Sequence, residues 1–197
     1  MIVVMKVGGS LLDWPLLPQR LLESLRLFEG SKVVLVVGGG QAAELVRAFD
    51  QIHALGETLA HALALESLNL TSRLLAMLVP DSEVVETISD IAAAWSKGNI
   101  PVFAPGVFMN AIDSTLNDPL PRTWNTTTDS IAARVARTID ADRLVLLKSS
   151  SFPEGRTRVE AALAGFVDPH FPAASATFPS VDVINLRAQP LRIERLL

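Results

Sequence analysis

The sequence predicts an α/β fold in which helices cross between the strands of a parallel sheet. Three observations predict it. Apolar runs of strand length alternate with helical stretches along most of the chain. Two of the runs, Ile2 to Val7 and Lys32 to Val37, are rich in β-branched residues and read as buried strands. Both pass directly into glycines, Gly8-Gly9 and Gly38-Gly39-Gly40, so both turns belong at the carboxyl edge of the sheet, where α/β folds bind ligands.

The elements follow in order. After the first strand comes a helix from about Leu16 to Phe28, ended by Gly30. The second strand leads through its glycines into a helix from Gln41 to at least Phe49. Glu57 to Val79 is the longest helical stretch, with leucines and alanines on more than one face, which places it between other elements or against a partner chain. Glu83 to Ile88 reads as a short strand, Ile91 to Ser96 as a helix and Val102 to Ala104 as a strand. Gly106 to Trp124, with Pro119, Pro121 and Asp113, reads as a loop, and a loop of that length inside a compact domain is commonly functional. Thr126 to Ile139 is a strongly patterned helix and Arg143 to Lys148 a strand. Beyond it the expected elements are a helix at Val159 to Gly165 and a last strand at Val181 to Leu186.

The chain of 197 residues suits one domain, or two lobes on one sheet that divide near Asp140. With 49% hydrophobic and 19% charged residues it can build a core and is not a disordered chain. No apolar run approaches the ~20 residues of a bilayer span, and the N-terminus has no signal-peptide pattern; a cytoplasmic protein without membrane partners is expected. The formal charge of −4 speaks against a nucleic-acid surface. With no cysteine, there is no disulfide, thiolate nucleophile or thiolate metal site. His53 and His61 stand further apart than helical metal pairs do, and no metal site is assigned.

Basic residues are thirteen arginines and only four lysines, and two of those lysines, Lys6 and Lys148, end aliphatic strands. Lys6-Val7-Gly8-Gly9-Ser10 sets a cation beside unobstructed amides, which at a strand-to-helix turn face an anion. Gly38 to Gly40 spend backbone entropy that a plain turn does not require, consistent with close approach of a ligand. Gly38, Gly40 and Ala43 also have the spacing of a dinucleotide fingerprint, but Glu57 and Glu66 lie in a helical stretch where that motif needs an acid at a strand end. No Walker-type phosphate loop occurs. Asn125-Thr126-Thr127-Thr128-Asp129 opens a helix with more polar groups than capping needs, and Asn125 and Asp129 are spaced to reach one site. Lys148 precedes Ser149-Ser150-Ser151, joining a cation to further donors. His61, among alanines and leucines, reads as a buried histidine able to touch a ligand; Trp14 and Trp124 flank the two turns as core or stacking residues. Two lysines and a carboxylate at strand and helix ends suit phosphoryl transfer, where catalysis is positioning plus charge stabilisation.

These motifs, K-x-G-G-S at Lys6 to Ser10, the glycine turn Gly38 to Gly40, N-x-x-x-D at Asn125 to Asp129 and the strand-ending Lys148, stand in the order of the amino-acid kinase family, which residues 1 to 150 resemble. The resemblance implies a three-layer α/β/α sandwich around a largely parallel, eight-stranded sheet, a homodimer, and ATP with Mg²⁺. It implies that Lys6 and Lys148 stabilise the transferring phosphoryl group and Asp129 organises them, that Gly8, Gly9, Ser10 and Ser149 hold ATP phosphates, and that Gly38, Gly39, Gly40 and Asn125 hold a small-molecule acceptor. It divides the chain into an acceptor lobe, about 1–140, and a trimmed nucleotide lobe, about 141–197. Ser149 to Ser151 replace the family's glycine turn, and Gly165 to Pro172 stand where a glycine-rich nucleotide cover is usual. The short C-terminal half is similar to that of the aminomethylfuran phosphate kinases of cofactor synthesis, which implies a phosphate monoester as acceptor, with Arg47 as its cation and His61 in contact. A non-catalytic nucleotide- or oxyanion-binding module on the same fold is the alternative.

Overall fold

The first strand of the chain lies at the centre of the sheet, and the later elements are laid down on either side of it. In the computed structural model, which describes residues 1–197, the elements are β1 (Ile2–Val7), α1 (Leu17–Arg26), β2 (Lys32–Val37), α2 (Gly40–His53), α3 (Glu57–Leu78), β3 (Ser82–Val85), α4 (Ile88–Ser96), β4 (Ile100–Phe103), α5 (Gly106–Ala111), α6 (Thr128–Thr138), β5 (Arg143–Lys148), α7 (Arg158–Leu163), α8 (Phe171–Ala174), β6 (Val181–Asn185) and β7 (Glu194–Leu196). The strand order is β3-β4-β2-β1-β5-β6-β7. All pairs are parallel except β6 with β7. The sheet thus has seven strands, not the eight the resemblance implied, because only two strands follow β5.

Side chains alternate across the sheet and build two cores. Val3, Met5, Val7, Leu35 and Leu147 face α1, whose Leu17 and Leu21 cover them. Val4, Val34, Val36, Leu144 and Leu146 face the other way, under α4, α6, α7 and α8. Helices on both faces of a mostly parallel sheet make the three-layer α/β/α sandwich that was expected. The long helix α3 supplies Leu65 and Leu68 to one core and Leu75 to the other, which accounts for its apolar residues on several faces.

Several boundaries move for local reasons. The third strand ends at Val85 and α4 begins at Ile88, because the Thr87 hydroxyl accepts the Asp90 amide and starts the helix early. The expected loop Gly106 to Trp124 contains α5 and a 3₁₀ turn at Asp113–Thr115. The helix expected from Thr126 starts at Thr128, with Thr127 as its cap. The four-residue α8 and three-residue β7 were not expected at all. No helix is long and apolar enough to cross a membrane.

Candidate active site

Register brings the two strand-ending lysines together. In the parallel pairing of β1 with β5, Lys6 lies opposite Leu146, so Lys148 is two residues further along its neighbour and on the same face. That face is the one covered by α6, which delivers Asp129 from its first turn. The Lys148 ammonium donates to Asp129 Oδ2 at 2.7 Å. Lys6 Nζ stands 2.9 Å from Oδ1, as an ion pair lying off the hydrogen-bonding direction, so Oδ1 accepts no formal hydrogen bond. All three side chains are largely buried. Lys148 also donates to the Phe166 carbonyl at 2.8 Å, and its ammonium lies 5.1 Å from the centre of the Phe166 ring.

Burial and charge compete in this trio. Burial by itself would raise the Asp129 carboxyl, but the charges of Lys6 and Lys148 outweigh it and hold the group below its ordinary value. Burial, reinforced by the Lys6 charge, pushes Lys148 down to about 8 against the pull of Asp129. At neutral pH Asp129 is therefore a carboxylate and Lys148 mainly an ammonium.

The two glycine turns lie against each other beside Lys6. A methyl group on Gly9 would stand 2.5 Å from the Gly40 nitrogen, and one on Gly38 would stand 2.7 Å from the Gly9 nitrogen. Their first demand for glycine is thus turn-on-turn packing, where close approach of a ligand was expected. Gly39 is bounded by Ala43 and Ser67, and Gly40 has φ +52°, a left-handed conformation suited to glycine. Two of the amides are already used: Gly8 donates to the Leu147 carbonyl at 2.8 Å and Gly38 to that of Val7 at 2.9 Å. Gly8 therefore cannot offer its amide to a phosphate. Ser10 and Gly40, at helical starts, have no intrahelical acceptor for theirs. The Ser10 and Ser149 hydroxyls are 2.9 Å apart and link the ends of β1 and β5.

Beyond Lys6 a cavity of about 390 Å³ opens between the glycine turns, α2, α3 and the start of α6. Lys6, Ser10, Gly38 to Gly40, Arg47, His61 and Trp124 are on its wall. Arg47 lies with its guanidinium 4.4 Å from the Trp124 ring centre and 3.4 Å from Glu44, and the Trp124 indole donates to Asp50 at 2.8 Å. Burial holds His61 below its ordinary value, and the nearby Arg122 charge adds to this against a hydrogen bond to the Thr123 backbone, so its imidazole is neutral at pH 7. Gly8, Asp129, Lys148 and Ser149 do not line the cavity; they lie around its inner end at the sheet edge. Asn125 is exposed and off the cavity wall, between Trp124 and Thr126, which are on it; the chain turns at Thr126 and Thr127 before the helix begins. The wall includes Thr127 and Thr128 of the polar helix opening, and also Asp13 and Glu44, which the sequence did not single out. The segment carrying Trp124 is fixed to α6 by Arg134, 3.2 Å from buried Asp113 and 3.0 Å from Asp118. No group of three acidic or histidine side chains is spaced to hold a metal ion.

A parallel sheet whose carboxyl edge carries two lysines on one carboxylate, next to paired glycine turns, defines an α/β protein with a cationic site at that edge, suited to an anionic group. The chain belongs to the amino acid kinase family, whose sequence profile matches residues 1–151. Membership supports a kinase-type function in general, and the family's use of ATP. Among curated proteins it is similar to [5-(aminomethyl)furan-3-yl]methyl phosphate kinase of Methanocaldococcus jannaschii, at 24% identity over 160 residues, 78% of this chain and 70% of that protein. Among solved structures it is similar to UMP kinase from Ureaplasma parvum (TM-score 0.69, 16% identity, 97% of this chain and 92% of that one). It is similar too to aspartate kinase from Synechocystis (TM-score 0.71, 13% identity, 100% of this chain and 40% of that one). At these identities the structures show a shared fold.

Proposed function

We propose that the protein is an ATP-dependent kinase that transfers the γ-phosphoryl group to a small phosphate monoester, of which [5-(aminomethyl)furan-3-yl]methyl phosphate is the leading candidate. The observation that carries this reading is the Asp129 carboxylate bridging Lys6 and Lys148 beside the cavity. Residues 1–140 form the acceptor lobe and 141–197 the nucleotide lobe. An oxygen of the acceptor phosphate attacks the γ-phosphorus, the bond from that phosphorus to the β,γ-bridging oxygen breaks, and ADP leaves with the electron pair. Lys6 and Lys148 neutralise the charge on the transferring group, and Asp129 keeps their ammoniums apart and aimed. Gly9, Ser10 and Ser149 hold donor phosphates, and Gly39, Gly40, Arg47 and His61 meet the acceptor.

An ionised phosphate oxygen needs no general base. This suits a site in which Asp129, the carboxylate at the reacting end, is paired with two ammoniums and held below its ordinary pKa. Both Asp129 oxygens face ammonium groups, and Mg²⁺ enters on ATP as part of the substrate. The relative from Methanocaldococcus jannaschii supports this acceptor class by its name. The test is incubation with Mg-ATP and that phosphate ester, following ADP and a diphosphate product, with Lys6→Ala as control. Turnover that is lost in the variant supports the reading. Tight ATP binding with no turnover on any phosphate ester would instead favour a nucleotide-binding module, which the missing glycine-rich cover segment favours.

We also propose that two copies pair through α3. Leu63, Leu70 and Met77 recur every seven residues on its outer face, and Leu70 and Met77 are 62% and 83% exposed. Antiparallel crossing of two such helices at Leu70 brings Glu66 alongside the partner's Arg73, so the face is complementary to itself in charge as well as apolar.

A further inference from the structure

We propose that Asp168 is a positioning residue that locks the start of α6, and so holds the Asp129 carboxylate between Lys6 and Lys148. The function of that alignment rests on the kinase reading above; the alignment itself does not. Asp168 lies 39 residues beyond Asp129 in sequence, in the short turn before α8, and is 5% exposed. A carboxylate so buried needs donors from every side, and here they come from the start of α6. Its Oδ2 accepts from the Thr127 amide at 3.1 Å, the Thr127 hydroxyl at 2.8 Å and the Ser130 amide at 3.0 Å. Its Oδ1 accepts from the Ser130 hydroxyl at 2.5 Å and from the His170 amide at 3.0 Å.

A helix start leaves amides without partners and carries the positive end of the helix dipole, so a remote carboxylate placed there acts as a cap in trans. The Thr127 hydroxyl passes the effect on. Because it donates to Asp168, its lone pair is turned to accept the Asp129 amide, at 3.4 Å. Asp168 thus reaches the backbone of Asp129 on both sides, through the Thr127 hydroxyl to its amide and through the Ser130 amide that follows its carbonyl. The same turn also holds Lys148, since the carbonyl that receives its ammonium belongs to Phe166, two residues before Asp168. Pro169 has no amide to donate and a fixed φ, which keeps the turn from continuing as helix. One five-residue segment, 166–170, thus fixes both partners of the Lys148–Asp129 pair. It stands where related chains place a nucleotide cover, and its side chain bonds point inward to the site.

The experiment compares Asp168→Asn and Thr127→Val with the unaltered protein by amide hydrogen exchange and by steady-state kinetics with Mg-ATP and [5-(aminomethyl)furan-3-yl]methyl phosphate. Exchange at residues 128–131 is expected to rise about tenfold in Asp168→Asn, the effect of losing one cap interaction, with β1 and β2 unchanged. Thr127→Val shows a smaller rise in the same amides, and Thr127→Ser restores protection. kcat falls about tenfold while KM for ATP stays within about twofold, because alignment is lost and binding is not. Unchanged exchange at 128–131 in Asp168→Asn overturns the proposal, as does a uniform rise across the sheet with no kcat-against-KM split. If the unaltered protein has no turnover, the kinase reading fails and the exchange results decide the positioning role by themselves.

Discussion

Gly9 and Gly38, each just past a central strand, are so close that a methyl group on Gly38 would stand 2.7 Å from the Gly9 nitrogen. The clash is with backbone, which cannot swing aside as a side chain would. Gly38→Ala is therefore expected to lower stability by about 1–3 kcal/mol, the range for forced overpacking, measured by urea unfolding. Had the glycine served only ligand access, stability would be untouched and only acceptor binding would suffer.

Asp129→Asn removes the one charge between two ammoniums. Breaking a buried ion pair in this way costs about 3–5 kcal/mol, and the loss depends on pH. Lys148 already sits below its unfolded value, at about 8, and without Asp129 it falls further, since Asp129 is a group that holds it up. A cation whose folded pKa is below its unfolded value penalises folding in full at low pH, and the penalty fades as pH rises from the folded value to the unfolded one. The variant should be far less stable than the wild type near pH 6, with the gap narrowing as pH rises to about 8, where Lys148 sheds its proton in the wild type as well. A gap constant across that range, in paired denaturation curves, would contradict the charge argument.

Much of this site was legible because strands obey a two-residue period. Lys6 and Lys148 could be paired from sequence since each ends a buried strand beside glycine or serine, and register then put both under α6. Asp129 was legible as a helix-start carboxylate. Asp168 was not, because its partners Thr127 and Ser130 are reached only after the chain returns through α7, and no local pattern marks a remote cap. At Gly8 and Gly38 the glycine content is visible in the sequence, but the ladder bonds that occupy their amides depend on neighbouring strands. The 3₁₀ turn and α8 are too short for periodicity to show. Thr87 with Asp90 was a readable cap, outweighed by the β-branched residues before it.

Lys148 should set the alkaline limit of turnover. Its ammonium stabilises the transferring group only while protonated, and its pKa of about 8 lies well under that of a free lysine. kcat is expected to fall with unit slope above about pH 8. In Lys148→Arg, where the cation cannot lose its proton in this range, that limb disappears, at the cost of a lower plateau because the fork does not fit the single Asp129 oxygen and Phe166 carbonyl. Identical alkaline limbs in the two proteins would assign the proton to another group.

The outer face of α3 makes the last prediction. Leu70, at its centre, is 62% exposed although it sits among buried helix positions such as Leu68 and Leu75. In an isolated chain this face is an apolar stripe in water. In an antiparallel pair Leu70 lies on the two-fold axis and meets itself. Placing a charge there puts two like charges in contact, so Leu70→Glu should shift sedimentation from dimer to monomer. Because the residue is outside both cores, Leu70→Glu should leave circular dichroism intact. Glu66→Arg and Arg73→Glu should each weaken pairing, and the double variant should recover it, since exchanging the charges restores the same contacts in reverse. A double variant as weak as the singles would rule out this helix crossing.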